Sequence, residues 1–145
     1  VLSRSGYVVL YANCPIIWGS KLQTEIALST TESEYITFSQ SLRDVIPLIN
    51  LLRELSNVTP QRDKAPVIHC TVHEDNKGCI DLVEAPRVRP RTKHIARKYH
   101  HFRSFVRNKT ISVRYIESGE QIADIFTKVL GDSQFGALRK KMMGW

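Results

Sequence analysis

Ser29-Thr30-Thr31-Glu32-Ser33-Glu34-Tyr35 is the stretch on which the fold turns. Ser29 and Glu32 stand at capping-box spacing, where a serine bonds the third backbone N–H of a new helix and the acid reaches back to the cap. From there Tyr35, Phe38, Leu42, Val45, Ile49 and Leu52 recur every three or four residues, which gives one continuous buried face along a long helix. Pro47 falls inside this pattern and is expected to kink the helix or split it in two, because it lacks an N–H and its ring meets the carbonyl four residues back.

Outward from this helix the chain alternates between strand and helix signals. Residues 6–11 and 15–21 read as two strands of a hairpin joined by Ala12-Asn13-Cys14. Residues 57–66 read as a polar loop, residues 67–74 as a strand rich in β-branched side chains, and residues 77–84 as a short helix. Further on, residues 111–116 read as a strand. Ser118-Gly119-Glu120-Gln121 then restarts a helix containing Ile122, Ile125, Phe126 and Leu130, and Gly131 interrupts it. A basic amphipathic tail with Phe135, Leu138, Met142 and Trp145 follows. Trp18 and Tyr35 are expected to be core aromatics. Without an internal repeat or a low-complexity tract, residues 1–145 are read as one α/β domain.

A chain of 145 residues is long enough to bury a real core. Its 42% hydrophobic and 24% charged content is that of a globular protein rather than a disordered or membrane-embedded one. No apolar run approaches the roughly 20 residues needed to cross a bilayer, and Val1-Leu2-Ser3-Arg4-Ser5-Gly6 lacks the regions of a signal peptide. A start at Val1 instead of Met is expected for a segment cut from a longer reading frame. Cys14, Cys70 and Cys79 are odd in number and unpaired in spacing, so a reducing, intracellular setting is expected.

The net charge of +7 favours a polyanionic partner, nucleic acid foremost. The charge is concentrated, since residues 87–107 contain no acid. Thr92 is placed to cap a helix with the apolar stripe Ile95, Tyr99, Phe102 and Val106, leaving Lys93, Arg97, His100, His101, Arg103 and Arg107 around the rest. Arg87, Arg89 and Arg91 form an arm ahead of it, suited to clamping phosphates. The competing reading is a solvated helix face. His94 suits a nucleic-acid contact or an ordinary helix-start histidine equally. A zinc site among His69, Cys70, His73, Cys79, His100 and His101 is disfavoured, because they do not fall into two ligand pairs.

Several segments together carry a resemblance: Arg4-Ser5-Gly6-Tyr7-Val8, Trp18-Gly19-Ser20-Lys21-Leu22-Gln23, Ala27-Leu28 followed by the opening stretch, Glu74-Asp75-Asn76, Arg91-Thr92-Lys93-His94-Ile95 and Ala123-Asp124-Ile125-Phe126-Thr127-Lys128. In this order they resemble the ribonuclease H domain at the C-terminal end of copia-type retrotransposon polyproteins, collinearly and over nearly the whole chain. Several motifs at consistent spacing are far more specific than any one of them. The resemblance implies a ribonuclease H-like α/β fold, a mixed five-stranded sheet flanked by helices on both faces. It also implies hydrolysis of the RNA strand of an RNA–DNA hybrid during reverse transcription. The implied partners are that hybrid and the reverse transcriptase portion of the same polyprotein, in a cytoplasmic particle or the nucleus.

Such hydrolysis uses carboxylates to hold two Mg²⁺ ions roughly 4 Å apart, with Mn²⁺ as a substitute. Carried over by position, Glu34 matches the helix carboxylate, Asp75 the strand-end carboxylate and Asp124 the last-helix carboxylate. Asn76, beside Asp75, is expected to help hold the nucleic-acid backbone, and Arg89, Arg91, Lys93, His94 and Arg97 of the basic segment are the further nucleic-acid-binding candidates. Taken singly, each acid has an ordinary reading: Glu34 as a first-turn acid on the helix dipole, Asp75 as a helix cap, Asp124 as an exposed acid. Glu74 and Asp75 point to opposite faces of a regular strand, so Asp75 is read as the ligand and Glu74 as a supporting or surface group. The chain departs from the pattern at Val129, where the family has Pro, and in having no acidic residue before Glu25. The family places a fourth, bridging Asp there, on a strand at the centre of the sheet. An N-terminally truncated domain, its first strand missing, is therefore expected, with unpaired strand edges. A catalytically inactive nucleic-acid-binding relic is the alternative, and an integrase-like nuclease acting on DNA is a third reading.

Overall fold

The computed structural model describes residues 2–58, 67–86 and 97–145. Thr92 and the basic positions Arg89, Arg91, Lys93 and His94 lie outside the described residues, as does the side chain of Arg97.

Strands β1 (Arg4–Tyr11) and β2 (Cys14–Leu22) form an antiparallel hairpin. Ala12 and Asn13 both take positive φ, 51° and 62°. That left-handed pair makes a two-residue turn whose twist matches the strands, so Cys14 begins β2 instead of finishing the turn. Side chains alternate along β2, with Pro15, Ile17 and Gly19 half-buried and Ile16, Trp18 and Ser20 turned to solvent. Trp18, 62% exposed, is thus not the core aromatic expected of it.

Helix α1 (Thr30–Val58) starts as its sequence indicates: Ser29 Oγ accepts from the Glu32 N–H at 3.1 Å. The Glu32 carboxylate reaches one residue past the cap, accepting from Leu28 N–H at 2.9 Å. The helix is not split. It runs through Pro47, because Arg43, whose carbonyl loses its partner, lies on the solvent side where water can replace the bond. Tyr35, Ile36, Phe38, Leu42, Val45 and Ile49 are buried and join Cys79, Val83, Tyr99, Phe102 and Ile111 in one core.

Strand β3 (Cys70–Glu74) pairs in parallel with β4 (Ile111–Tyr115), from Cys70 opposite Ile111 to Glu74 opposite Tyr115. Helix α2 (Lys77–Glu84) lies where expected. The basic segment is not one helix: a 3₁₀ turn at Arg97–His100 precedes the short helix α3 (Arg103–Arg107). Tyr99 and Phe102 point inward as their spacing requires, but Arg103 is buried too. Its guanidinium donates to the carbonyls of Leu82 (3.2 Å) and Ala85 at the end of α2 and to the Tyr35 hydroxyl (3.4 Å). These are the carbonyls a helix end leaves unpaired, and they draw the charge inside. After β4, 3₁₀ turns at Ser118–Glu120 and Ile122–Phe126 replace the expected helix, and helix α4 (Asp132–Met143) follows with Leu138 buried.

The described strands form two separate two-stranded sheets, β1–β2 and β3–β4, not the single five-stranded sheet the resemblance implies. Residues of β1 and β3 line the same cavity, of about 910 Å³, together with Phe38 and Val45 of α1.

The hairpin presses directly on the turn that carries Asp124. A Cβ on Gly6 would lie 2.4 Å from Thr127 Cγ2 and 2.9 Å from Phe126 Cβ, distances no real contact tolerates. Gly6→Ala should therefore lower the unfolding free energy by roughly 1–3 kcal/mol, the ordinary cost of overpacking, as read from urea denaturation. An unchanged midpoint would show that β1 does not press on this turn.

Candidate active site

Three elements deliver the three acids to one place. Glu34 comes from the start of α1, Asp75 from the residue after β3, and Asp124 from the 3₁₀ turn after β4. All three line the 910 Å³ cavity, beside Ser33, Thr37, Glu74 and Lys128.

Local contacts fix each one. The starts of α1 and α2 nearly touch: Thr31 Oγ1 donates to Asn76 Oδ1 at 3.3 Å, and a Cβ on Gly78 would meet Thr31 Oγ1 at 2.8 Å. Asn76, not Asp75, caps α2, accepting from Cys79 N–H at 2.9 Å. This leaves the Asp75 carboxylate out of the capping role. Asn76, expected to help hold the nucleic-acid backbone, uses its Oδ1 for that cap. Glu74 is buried, and its Oε1 accepts from Asn76 N–H at 3.0 Å. Gln23, also buried, brings Nε2 within 3.0–3.2 Å of Ser5 Oγ, Ser33 O, Ser33 Oγ and Thr37 Oγ1, tying the end of the hairpin to the first turns of α1. Asp124, 8% exposed, sits on a turn that β2 also grips, since Ser20 Oγ donates to Phe126 O at 2.6 Å. The Asp124 carbonyl accepts from the Thr127 and Lys128 N–H groups, and its Oδ2 from Lys128 Nζ at 2.9 Å.

The site is electrostatically one unit. Burial pushes the Glu34 carboxyl above the ordinary range, the charges of Asp75 and Asp124 push it further, and Lys128 opposes them. Burial likewise raises Glu74 to about 7, with Glu34 and Asp75 adding and the Asn76 N–H opposing. For Lys128, burial alone would lower the pKa, yet its bond to Asp124 and the charges of Asp75 and Glu34 carry it upward.

Carboxylate oxygens are the hard donors that Mg²⁺ and Mn²⁺ prefer, so the chemistry of the set fits such an ion. The spacing is looser than the chemistry. Among the described residues, no three His, Cys, Asp or Glu side chains stand close enough together to hold one metal ion. Lys128 is the member of the site that motif reading passed over. Its signal was present, because Asp124 and Lys128 lie four residues apart, the spacing at which a turn brings an acid and an amine together.

Burial of Glu74 has a consequence for pH. Its folded pKa lies above the unfolded value of 4.5, so between about pH 4.5 and 7 the folded chain holds a proton that the unfolded chain has lost. Stability should then fall as pH rises through this window, by about 1.4 kcal/mol for each pH step of one. Glu74→Gln should flatten that slope in denaturation curves taken from pH 5 to 8. An identical slope in both proteins would show that Glu74 ionises freely.

The chain is similar to long polyproteins of mobile elements. Over 142 residues, 98% of its length, it is 36% identical to the retrovirus-related Pol polyprotein from transposon TNT 1-94 of Nicotiana tabacum. Over 141 residues, 97% of its length, it is 33% identical to those from transposons RE2 and RE1 of Arabidopsis thaliana. The chain spans about a tenth of these relatives, 10% of the first and 9% of the other two. No protein-family model matches it, and no solved structure matches it significantly. Over nearly its whole length, the chain is thus similar to one region of these retrovirus-related Pol polyproteins of transposons.

Proposed function

We propose that the chain is a retrotransposon-derived ribonuclease H domain that hydrolyses the RNA strand of RNA–DNA hybrids as part of a longer polyprotein. One observation carries the reading: Glu34, Asp75 and Asp124, far apart in sequence, line a single cavity between the two small sheets. In this reading the three carboxylates hold divalent cations, Mg²⁺ foremost. When bound, such ions activate water and stabilise the departing ribose oxygen. The residues of the chain do the positioning. Asn76 sets Asp75 by capping α2, the Ser29 cap sets the turn that carries Glu34, and Gly6 and Ser20 set the Asp124 turn.

The cavity between β1 and β3 is, on this proposal, where a further strand from the preceding part of the polyprotein pairs, bringing a fourth carboxylate to complete a ribonuclease H-like sheet. The net charge of +7 suits a hybrid partner, whose two backbones are both anionic. The spread of the three acids favours a second reading, an inactive nucleic-acid-binding relic.

A cleavage assay separates the two, using labelled RNA–DNA hybrid and Mg²⁺ on this chain and on a version extended upstream through that strand. The extended version should cut the RNA strand and spare duplex DNA. Glu34→Gln, Asp75→Asn and Asp124→Asn should each slow it by roughly 100-fold or more, since metal-held charge is worth several kcal/mol in such transition states. Hybrid binding without cutting by the extended version would establish the relic, and undiminished cutting by the three variants would remove the site assignment.

A further inference from the structure

We infer that Lys128 is the resident counter-ion of the carboxylate cluster: its ammonium holds Asp124 when no divalent cation is bound and has to release it when one binds. This inference rests on the metal-site reading above.

The geometry is specific. Lys128 Nζ lies 2.9 Å from Asp124 Oδ2, with the carboxylate side chain 11% exposed and the lysine side chain 55% exposed. The amine therefore closes over a buried acid from the solvent side. The turn enforces the pairing, because Lys128 N–H also donates to Asp124 O at 3.0 Å, which sets the two side chains on one side of the turn. Lys128 lines the same cavity as Glu34, Asp75 and Asp124. Among the described residues, Arg4 is the other Lys or Arg lining it, and its guanidinium is turned to Ser20 Oγ at 3.2 Å.

Three acids around one cavity, with Glu74 buried beside them, repel one another unless a positive charge stands among them. A lysine suits a provisional role of this kind. Its charge sits on a flexible four-carbon stem, and a half-exposed ion pair is weak enough to open. A divalent ion beside Asp124 brings two positive charges against the ammonium, and the side chain has open solvent to retreat into. Lys128 thus positions Asp124 in the cation-free chain and sets a threshold for cation binding.

Isothermal titration with Mn²⁺ tests this on the 145-residue chain, with circular dichroism confirming that each variant is folded. Lys128→Met should bind Mn²⁺ roughly threefold to tenfold more tightly than the wild type, as expected for removal of one nearby, partly screened charge. Lys128→Arg, which keeps the charge, should stay within about twofold of the wild type. In an Asp124→Asn background, Lys128→Met should bring a clearly smaller gain, because the ion pair is already gone and only the repulsion of the unpaired ammonium is removed. Unchanged or weaker binding by Lys128→Met, or an equal gain in the Asp124→Asn background, would overturn the inference while leaving the metal site intact. If Glu34→Gln, Asp75→Asn and Asp124→Asn all leave Mn²⁺ affinity untouched, the metal-site reading itself fails and the inference falls with it. Should the wild type bind no Mn²⁺, binding gained by Lys128→Met supports the competition, and its absence overturns it.

Discussion

Packing of the buried face of α1 is the constraint from which the rest of the structure follows. Tyr35, Phe38, Leu42, Val45 and Ile49 turn inward together, and each such side chain contributes on the order of 1.5–3 kcal/mol by leaving water. A helix with so much apolar surface on one side has one favourable rotation about its axis. Tyr35 locks it further, since its hydroxyl bonds His100 Nδ1 at 2.7 Å and takes a bond from Arg103. With Tyr35 held in the core, its neighbour Glu34 is carried toward the cavity. The same core contacts that stabilise the fold therefore aim the first acid.

The other two acids depend on close backbone approaches. Gly78 lets the start of α2 meet Thr31 on α1, which brings the end of β3 and Asp75 beside Glu34. Gly6 lets β1 meet Thr127 and Phe126, which presses the Asp124 turn onto the hairpin. Both glycines serve by lacking a Cβ, and neither needs a positive φ. The site is consequently assembled between elements instead of on one of them, so its geometry is set by how the two sheets and α1 sit together.

Much of the fold is legible in the sequence where local chemistry and packing agree. The hairpin, the capped start of α1, its apolar stripe and α2 at Lys77–Glu84 are of this kind. The failures have physical causes. Ile122, Ile125 and Phe126 recur at spacings that suit a 3₁₀ turn as well as an α-helix, and contacts from Gly6 and Ser20, more than a hundred residues away, select the tighter form. Arg103 reads as a surface charge until the unpaired carbonyls at the end of α2 are known to lie beside it. Alternation along β2 leaves Trp18 outside, where its size alone suggested burial. At the site, Glu34, Asp75 and Asp124 are ordinary acids when taken one by one, and only the ordered motifs single them out. Their gathering around one cavity is a tertiary fact, and so is the placement of Lys128 over Asp124.

Whether Glu34, Asp75 and Asp124 share one divalent cation, as proposed, can be read from Mn²⁺-induced paramagnetic broadening in the NMR spectrum of the labelled chain. At substoichiometric Mn²⁺, amide signals around Glu34, Asp75 and Asp124 should broaden first and together. Broadening confined to acids elsewhere, such as Glu54 or Asp132, with those three neighbourhoods left sharp, would contradict the proposal.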